Sequence, residues 1–137
     1  MEIIAALFMD DIALRQEPGP TTRIDLSGVQ FSGPAPAPVP CTVAPHLVVL
    51  VWNPPNGGEF AALETVFHMA DEAGDVDRSS EPMARNMQPL QIEPGKFNYR
   101  LIRAELPFDR YGTVIASLRI DTGEYRMVPY TLLPPVS

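Results

Sequence analysis

Apolar and polar positions alternate with a period of two along much of the chain. In "YGTVIASLRI" the residues Val114, Ala116, Leu118 and Ile120 fall on one face, and Thr113, Ser117 and Arg119 on the other. That is the pattern of a half-buried antiparallel strand. "DTGE" supplies a turn, with Gly123 free to take a positive φ, and "YRMVPYTLL" returns as the second arm of a hairpin. Pro129 cannot donate to a strand ladder, which predicts a sheet edge or a bulge there.

"HLVVLVWN" is apolar at every position from Leu47 to Trp52, rich in β-branched residues, and closed by Pro54 and Pro55. It reads as a central strand buried on both faces, with Trp52 in the core. "EPGKFNYRLIRAELPF" alternates through Phe97, Tyr99 and Leu101, then shifts phase to Ile102, Ala104 and Leu106. A bulge near Leu101 and Ile102 would absorb such a shift. "FAALETVFHMADE" suits a helix through Phe60, Leu63, Phe67 and Ala70, or a strand through Leu63, Thr65, Phe67 and Met69; the "EAGD" turn after it favours the strand.

Two further strands are predicted in "EIIAALF" and "TTRIDLSGVQF", with Pro18, Gly19 and Pro20 between them. The expected fold is all-β or mainly β: a single antiparallel β-sandwich over residues 1–137, of about seven to eight strands. One short helix is expected near residues 80–88, in "SEPMARNMQ", with Ser80 as N-cap and Pro82 in the first turn.

Sixteen prolines in 137 residues oppose a helical bundle, since proline inside a helix costs about 3 kcal/mol. Five of those prolines stand in "FSGPAPAPVPCTVAP". Cutting the chain there would leave an N-terminal piece below the roughly 40 residues at which staples become necessary. Residues 32–45 are therefore read as a proline-rich crossing loop within one domain, in which the seven residues from Pro34 to Pro40 reach about 20 Å at about 3.1 Å per polyproline residue. A ligand for an aromatic-lined groove is the alternative, and the segment lacks the flanking Arg or Lys that orients such peptides.

The net charge of -7 opposes binding to nucleic acid or to an anionic membrane surface. Cys41 is the single cysteine, which fits a reducing compartment. The start "MEIIAALFMDDIA" has Glu2 where a signal peptide has basic residues, and no stretch reaches about eighteen apolar residues, so a cytoplasmic protein is expected.

"AALFMDDIALRQEPG", "HLVVLVWNPPNGGEFAALETVFHMADEAGD", "IEPGKFNYRLIRAELPF" and a short closing strand together resemble a family of small bacterial proteins of unknown function. The resemblance implies a compact β-sandwich-like domain and hands over no catalytic residue, cofactor or substrate.

Glycine-rich phosphate loops and zinc spacings are missing. His46 and His68 sit on separate predicted strands and read as structural, and Cys41 as an inert thiol. Ser79 and Ser80 read as polar loop residues. Asp10 and Asp11, adjacent in sequence, point to opposite faces of a strand, are poorly placed to share a proton, and read as the end of the first strand. "DEAGDVD" sets Asp71, Glu72, Asp75 and Asp77 at a turn, and Asp71, Asp75 and Asp77 are the candidate calcium ligands. Acidic turns are also ordinary solvated surface.

The expected function is a non-catalytic interaction module that binds a protein partner or itself through exposed edge strands, without a cofactor. One alternative is a small-ligand or carbohydrate binder using Trp52, Tyr99 or Tyr111; another is a calcium-binding sandwich. An enzyme is not expected, because no nucleophile, base and stabiliser can be grouped.

Overall fold

The computed structural model describes residues 1–16 and 22–136. Among the described residues twelve strands run in the order β1 Glu2–Met9, β2 Asp11–Gln16, β3 Thr22–Ser27, β4 Ser32–Pro34, β5 Cys41–Val43, β6 His46–Trp52, β7 Phe60–Met69, β8 Ala84–Gln91, β9 Phe97–Arg103, β10 Leu106–Phe108, β11 Gly112–Ile120 and β12 Arg126–Leu133. The fold is all-β and sandwich-like, with more strands than the pattern of apolar runs predicts. The additional strands are β2, then β4 and β5 within the segment expected as a proline-rich crossing loop, β8 where a helix was expected, and β10, split from the run that holds β9. The turn expected at Pro18, Gly19 and Pro20 lies outside the described residues.

The first of the two larger sheets has the order β1-β6-β9 and the second β4-β12-β11-β7-β8, while β2 and β3 pair antiparallel with each other. Period-two alternation sends one set of side chains from each sheet into a shared core. Phe8, Leu47, Val49, Val51 and Ile102 come from the first sheet, and Leu63, Phe67, Leu90, Val114, Ala116, Leu118 and Leu132 from the second. Phe8 meets Tyr130 across the gap with ring centroids 5.3 Å apart. Phe60–Met69 is a strand, with Leu63, Phe67 and half-buried Met69 turned inward.

β5 and β10 form their own short ladder. Its register, Val43 opposite Leu106, keeps the same offset as His46 opposite Arg103 in the β6–β9 ladder. The two ladders are one antiparallel pair interrupted at Ala44–Pro45, where Pro45 has no amide hydrogen to give. Residues 35–40 link β4, paired to the second sheet through β12, with β5, which extends the β6–β9 ladder.

The helix expected near 80–88 is replaced by a turn and β8. Ser80 donates its amide and hydroxyl to the Asp77 carbonyl, and Ala84 to Gln91 pair with β7. A local cap signature lost to an available partner strand. The bulge expected at Leu101–Ile102 is also absent, since β9 holds one register against β6 throughout. The apolar residues change face there while the backbone does not slip. The irregularity lies in β1, between Ile3 and Ala5. In the β11–β12 turn the positive φ falls on Asp121, at 51°, and not on Gly123. The Asp121 carboxylate accepts the Ala62 amide at 3.0 Å and holds that conformation.

Burial pushes the Tyr130 phenol above its ordinary range, with a further push from the charge of Asp10. Its contribution to stability is therefore complete below the ordinary value near 10 and is lost as pH rises through the raised one. Tyr130→Phe is expected to flatten the alkaline limb of a stability-against-pH curve measured by urea unfolding. An unchanged limb would assign the alkaline loss to other groups.

Candidate functional site

Because Leu47, Val49 and Val51 point into the core, alternation sends Val48, Leu50 and Trp52 to the outer face of the three-stranded sheet. Register places Ala5 and Tyr99 beside Leu50, Leu7 and Leu101 beside Val48, and Phe97 beside Trp52. The extra residue of the β1 irregularity, Ile4, is 50% exposed, and Phe97 and Leu101 are 43% and 40% exposed. The middle rows of this outward face contain no charged side chain. One end row carries Glu2 and the other His46 and Arg103. Trp52 belongs to this surface, half-buried, and not to the core.

The flanks of β8, β9 and β12 carry obstructions to strand addition. On β8, the amide of Ile92 bonds the Glu59 carbonyl. The alternate set that includes Pro89 therefore faces the open flank, without an amide hydrogen at that point. On β9, the amide of Asn53 bonds the Lys96 carbonyl, which turns the main chain of Phe97, Tyr99 and Leu101 outward. Side chains already occupy those groups: Asn98 Oδ1 accepts the Tyr99 amide at 2.8 Å, Arg100 donates to the Tyr99 carbonyl at 2.9 Å, and Gln88 donates to the Leu101 carbonyl at 3.4 Å. β12 is flanked by β11 and, over Thr131–Leu133, by β4. Pro129 lies just past the end of β4 with its nitrogen on the same side as the Thr131 amide, which bonds Phe31. The edge expected at Pro129 is thus a short uncovered half-strand, and no register shift marks a bulge.

The 70–83 segment packs on the outer face of the five-stranded sheet. Arg78 and Arg119 stack on Tyr125 at 4.3 and 4.6 Å from the ring centroid, and Glu64 accepts from Arg119 Nε and the Tyr125 hydroxyl at 3.1 and 3.0 Å. The candidate calcium ligands Asp71, Asp75 and Asp77 lie in this segment, and one carboxylate oxygen each of Asp71 and Asp77 is engaged. Asp71 Oδ1 accepts the Ala73 and Asp75 amides at 2.9 and 2.8 Å, and Asp77 Oδ1 accepts the Ser79 hydroxyl and, at 3.0 Å, its amide. Those Ser79 bonds hold the exposed Asp77 carboxyl below its ordinary range. Among the described residues no three His, Cys, Asp or Glu side chains are gathered as a metal site. The melting temperature is expected to stay unchanged in millimolar calcium, since a ligand bound only to the native state would raise it. A rise in a calorimetric scan would return the calcium reading.

Cys41 lies opposite Phe108 and packs against the core, while His68 lies opposite Ile115 on the outer face of the other sheet, with Nε2 3.3 Å from the Ser80 carbonyl. Asp10 and Asp11 close the end of β1: the Asp10 amide bonds the Ser27 and Gly28 carbonyls, and Asp11 Oδ1 takes the Ile12 amide. His46 Nδ1 meets the Asp10 carbonyl at 3.1 Å. A cleft of about 960 Å³ opens between the 69–74 and 110–113 segments, over Ile115 and Pro129, with Tyr111 on its wall. Of the three aromatic platforms expected from sequence, Tyr99 and Trp52 lie on the outward face of the other sheet and Tyr111 lines the cleft.

The class defined by fold and surface is an all-β sandwich with one apolar outer sheet face and guarded edges. No family model matches the chain, and no curated protein matches it. Among the described residues no helix is long and apolar enough to cross a membrane.

Proposed function

We propose that the protein is a non-catalytic interaction module of the cytoplasm, binding a protein partner or itself through the outer face of the β1-β6-β9 sheet. The observation that carries this reading is the exposed apolar set of Ile4, Phe97 and Leu101 on this sheet, flanked by half-buried Leu7, Leu50, Tyr99 and Trp52. Large exposed apolar patches on otherwise polar domains mark interaction sites. The guarded edges argue for recognition by side chains over strand addition.

Leu101→Glu is the test, because Leu101 is already partly exposed and a charge there leaves the core intact. Affinity capture with the tagged protein should lose its partner at least about tenfold, the size expected for a central contact residue. Phe60→Glu, an exposed site on β7, should capture as the parent does. Equal capture by Leu101→Glu and the parent would remove this face from the function.

The cleft beside Tyr111 supports a second reading, a small-ligand or carbohydrate binder, because an aromatic wall over an apolar floor suits a sugar face. A ligand that raises the melting temperature of the parent but not of Tyr111→Ala would establish it.

A further inference from the structure

The turn between β6 and β7 is built around one buried side chain. Pro55 and Asn56 take its two central positions, and the Gly57 amide closes it by donating to the Pro54 carbonyl at 2.9 Å. Beneath the turn, Asn53 Nδ2 donates to the Gly58 carbonyl at 2.9 Å and to the Ile92 carbonyl at 2.7 Å. Position 57 is confined to glycine, because a Cβ there would run into Asn53 Oδ1 and crowd the Pro54 carbonyl. The residue before it, Asn56, is exposed, and its side-chain amide has no hydrogen-bond partner among the described residues. Of the four asparagines in the chain it is the one followed by glycine, a neighbour with no side chain to hinder attack by the main chain.

We propose that Asn56 is a site of spontaneous deamidation, with water as the co-reactant, and that the Asn53 clasp sets its rate. The Gly57 main-chain nitrogen gives up its proton and attacks Asn56 Cγ. The N–Cγ bond forms, the Cγ–Nδ2 bond breaks, and ammonia leaves with the displaced proton, so a cyclic imide remains. Water then opens the imide. Addition at Cγ gives aspartate, and addition at the main-chain carbonyl carbon gives isoaspartate, in which the main chain runs through Cβ and Cγ. The fold opposes the first step, since the Gly57 N–H must leave the Pro54 carbonyl before its proton can go. Asn53 holds the adjoining Gly58 carbonyl, so opening of the turn and release of Asn53 are one local event. The product in turn opposes the fold. Isoaspartate adds a carbon to the main chain inside a turn closed at Pro54–Gly57 and again at Asn53–Gly58, and those bonds cannot both re-form around it. Either product adds one negative charge to the net of -7.

The full chain is incubated at mildly alkaline pH, native and in urea, with residues 53–59 followed by peptide mass spectrometry and isoaspartate counted by an isoaspartyl methyltransferase. Asn56 should convert in the folded parent to isoaspartate and aspartate, at least about tenfold slower than in urea, while Asn53, Asn86 and Asn98 stay intact. The rate should rise with pH, because the attacking nitrogen must first be deprotonated. Asn53→Leu, where its melting curve shows a folded chain, should narrow the gap between native and urea to less than about threefold. Asn56→Asp carries the charge without the extra carbon and should melt with the parent, and the isoaspartyl form should melt below both. A folded parent that keeps Asn56 intact after the urea sample has converted overturns the site. Equal rates in the two conditions, a comparison that needs no variant, overturn control by the clasp, and so does a folded Asn53→Leu that reacts at the parent's rate. An isoaspartyl chain that melts with Asn56→Asp overturns the loss of the turn's bonds.

Discussion

Phe8→Ala is expected to cost about 3–5 kcal/mol, the range for truncating a large aromatic in a core that cannot collapse around the gap. Phe8 is 1% exposed on β1 and stacks at a tilt of 53° on Tyr130 of β12, so its ring joins the two sheets. Truncation removes both the buried apolar area and the ring pair, which adds about 0.5–1.5 kcal/mol beyond burial. Urea unfolding should show the loss, and the melting temperature should fall by roughly 10–20 °C for a domain of this size. Phe8→Leu keeps most of the volume and should cost less than half as much. A loss below about 1 kcal/mol for Phe8→Ala would mean that the sheets are held together elsewhere.

Asn53→Leu should cost about 2–4 kcal/mol, although it exchanges a polar residue for an apolar one of similar size. Asn53 is fully buried, and its Nδ2 donates to the Gly58 carbonyl at 2.9 Å and the Ile92 carbonyl at 2.7 Å. Its main chain bonds Lys96 and Gly95, so one residue ties the turn after β6 to the turn before β9. Leucine leaves the buried Ile92 carbonyl, and the partly buried Gly58 carbonyl, without this donor. Asn53→Asp should be worse at neutral pH, because a carboxylate then faces two carbonyl oxygens, and should recover partly in acid as protonation restores one donor. Gly57 is bound into the same arrangement, since a Cβ there would run into Asn53 Oδ1. Equal stability of Asn53→Leu and the parent in denaturant titration would show that water replaces the lost bonds.

The strands with a clean period were legible in the sequence because burial of one face writes itself into alternate residues, as at Val114, Ala116, Leu118 and Ile120. β8 was not legible. Its inward set of Ala84, Asn86, Gln88 and Leu90 is half polar, so the strand carries no periodic signal and owes its form to pairing with β7. The outer face was present in the sequence in disguise. Apolar residues at every position of β6 announced burial on both sides, and the odd-numbered run Phe97, Tyr99 and Leu101 announced an apolar face on β9. Reading the change of phase after Leu101 as a bulge merged two faces into one. The signal that separates them is the even-numbered series Ile102, Leu106 and Phe108, which continues inward across the break before β10. The clasp of Asn53 had no local signature, because its acceptors are carbonyls, which any residue offers.

The parallel pairing of β4 with β12 joins Ser32 to Thr131 and Leu133 to Pro34, elements from opposite ends of the sequence. During synthesis the chain from β1 to β11 emerges before β12 does. Until then Phe8 has no Tyr130 to pack on, and β11 has only β7 beside it. Closing loops of this length is slow relative to local hairpins. The growing polypeptide thus spends its time on the ribosome with one flank of the core uncovered, and chaperone contact during translation should concentrate on β1 and β11.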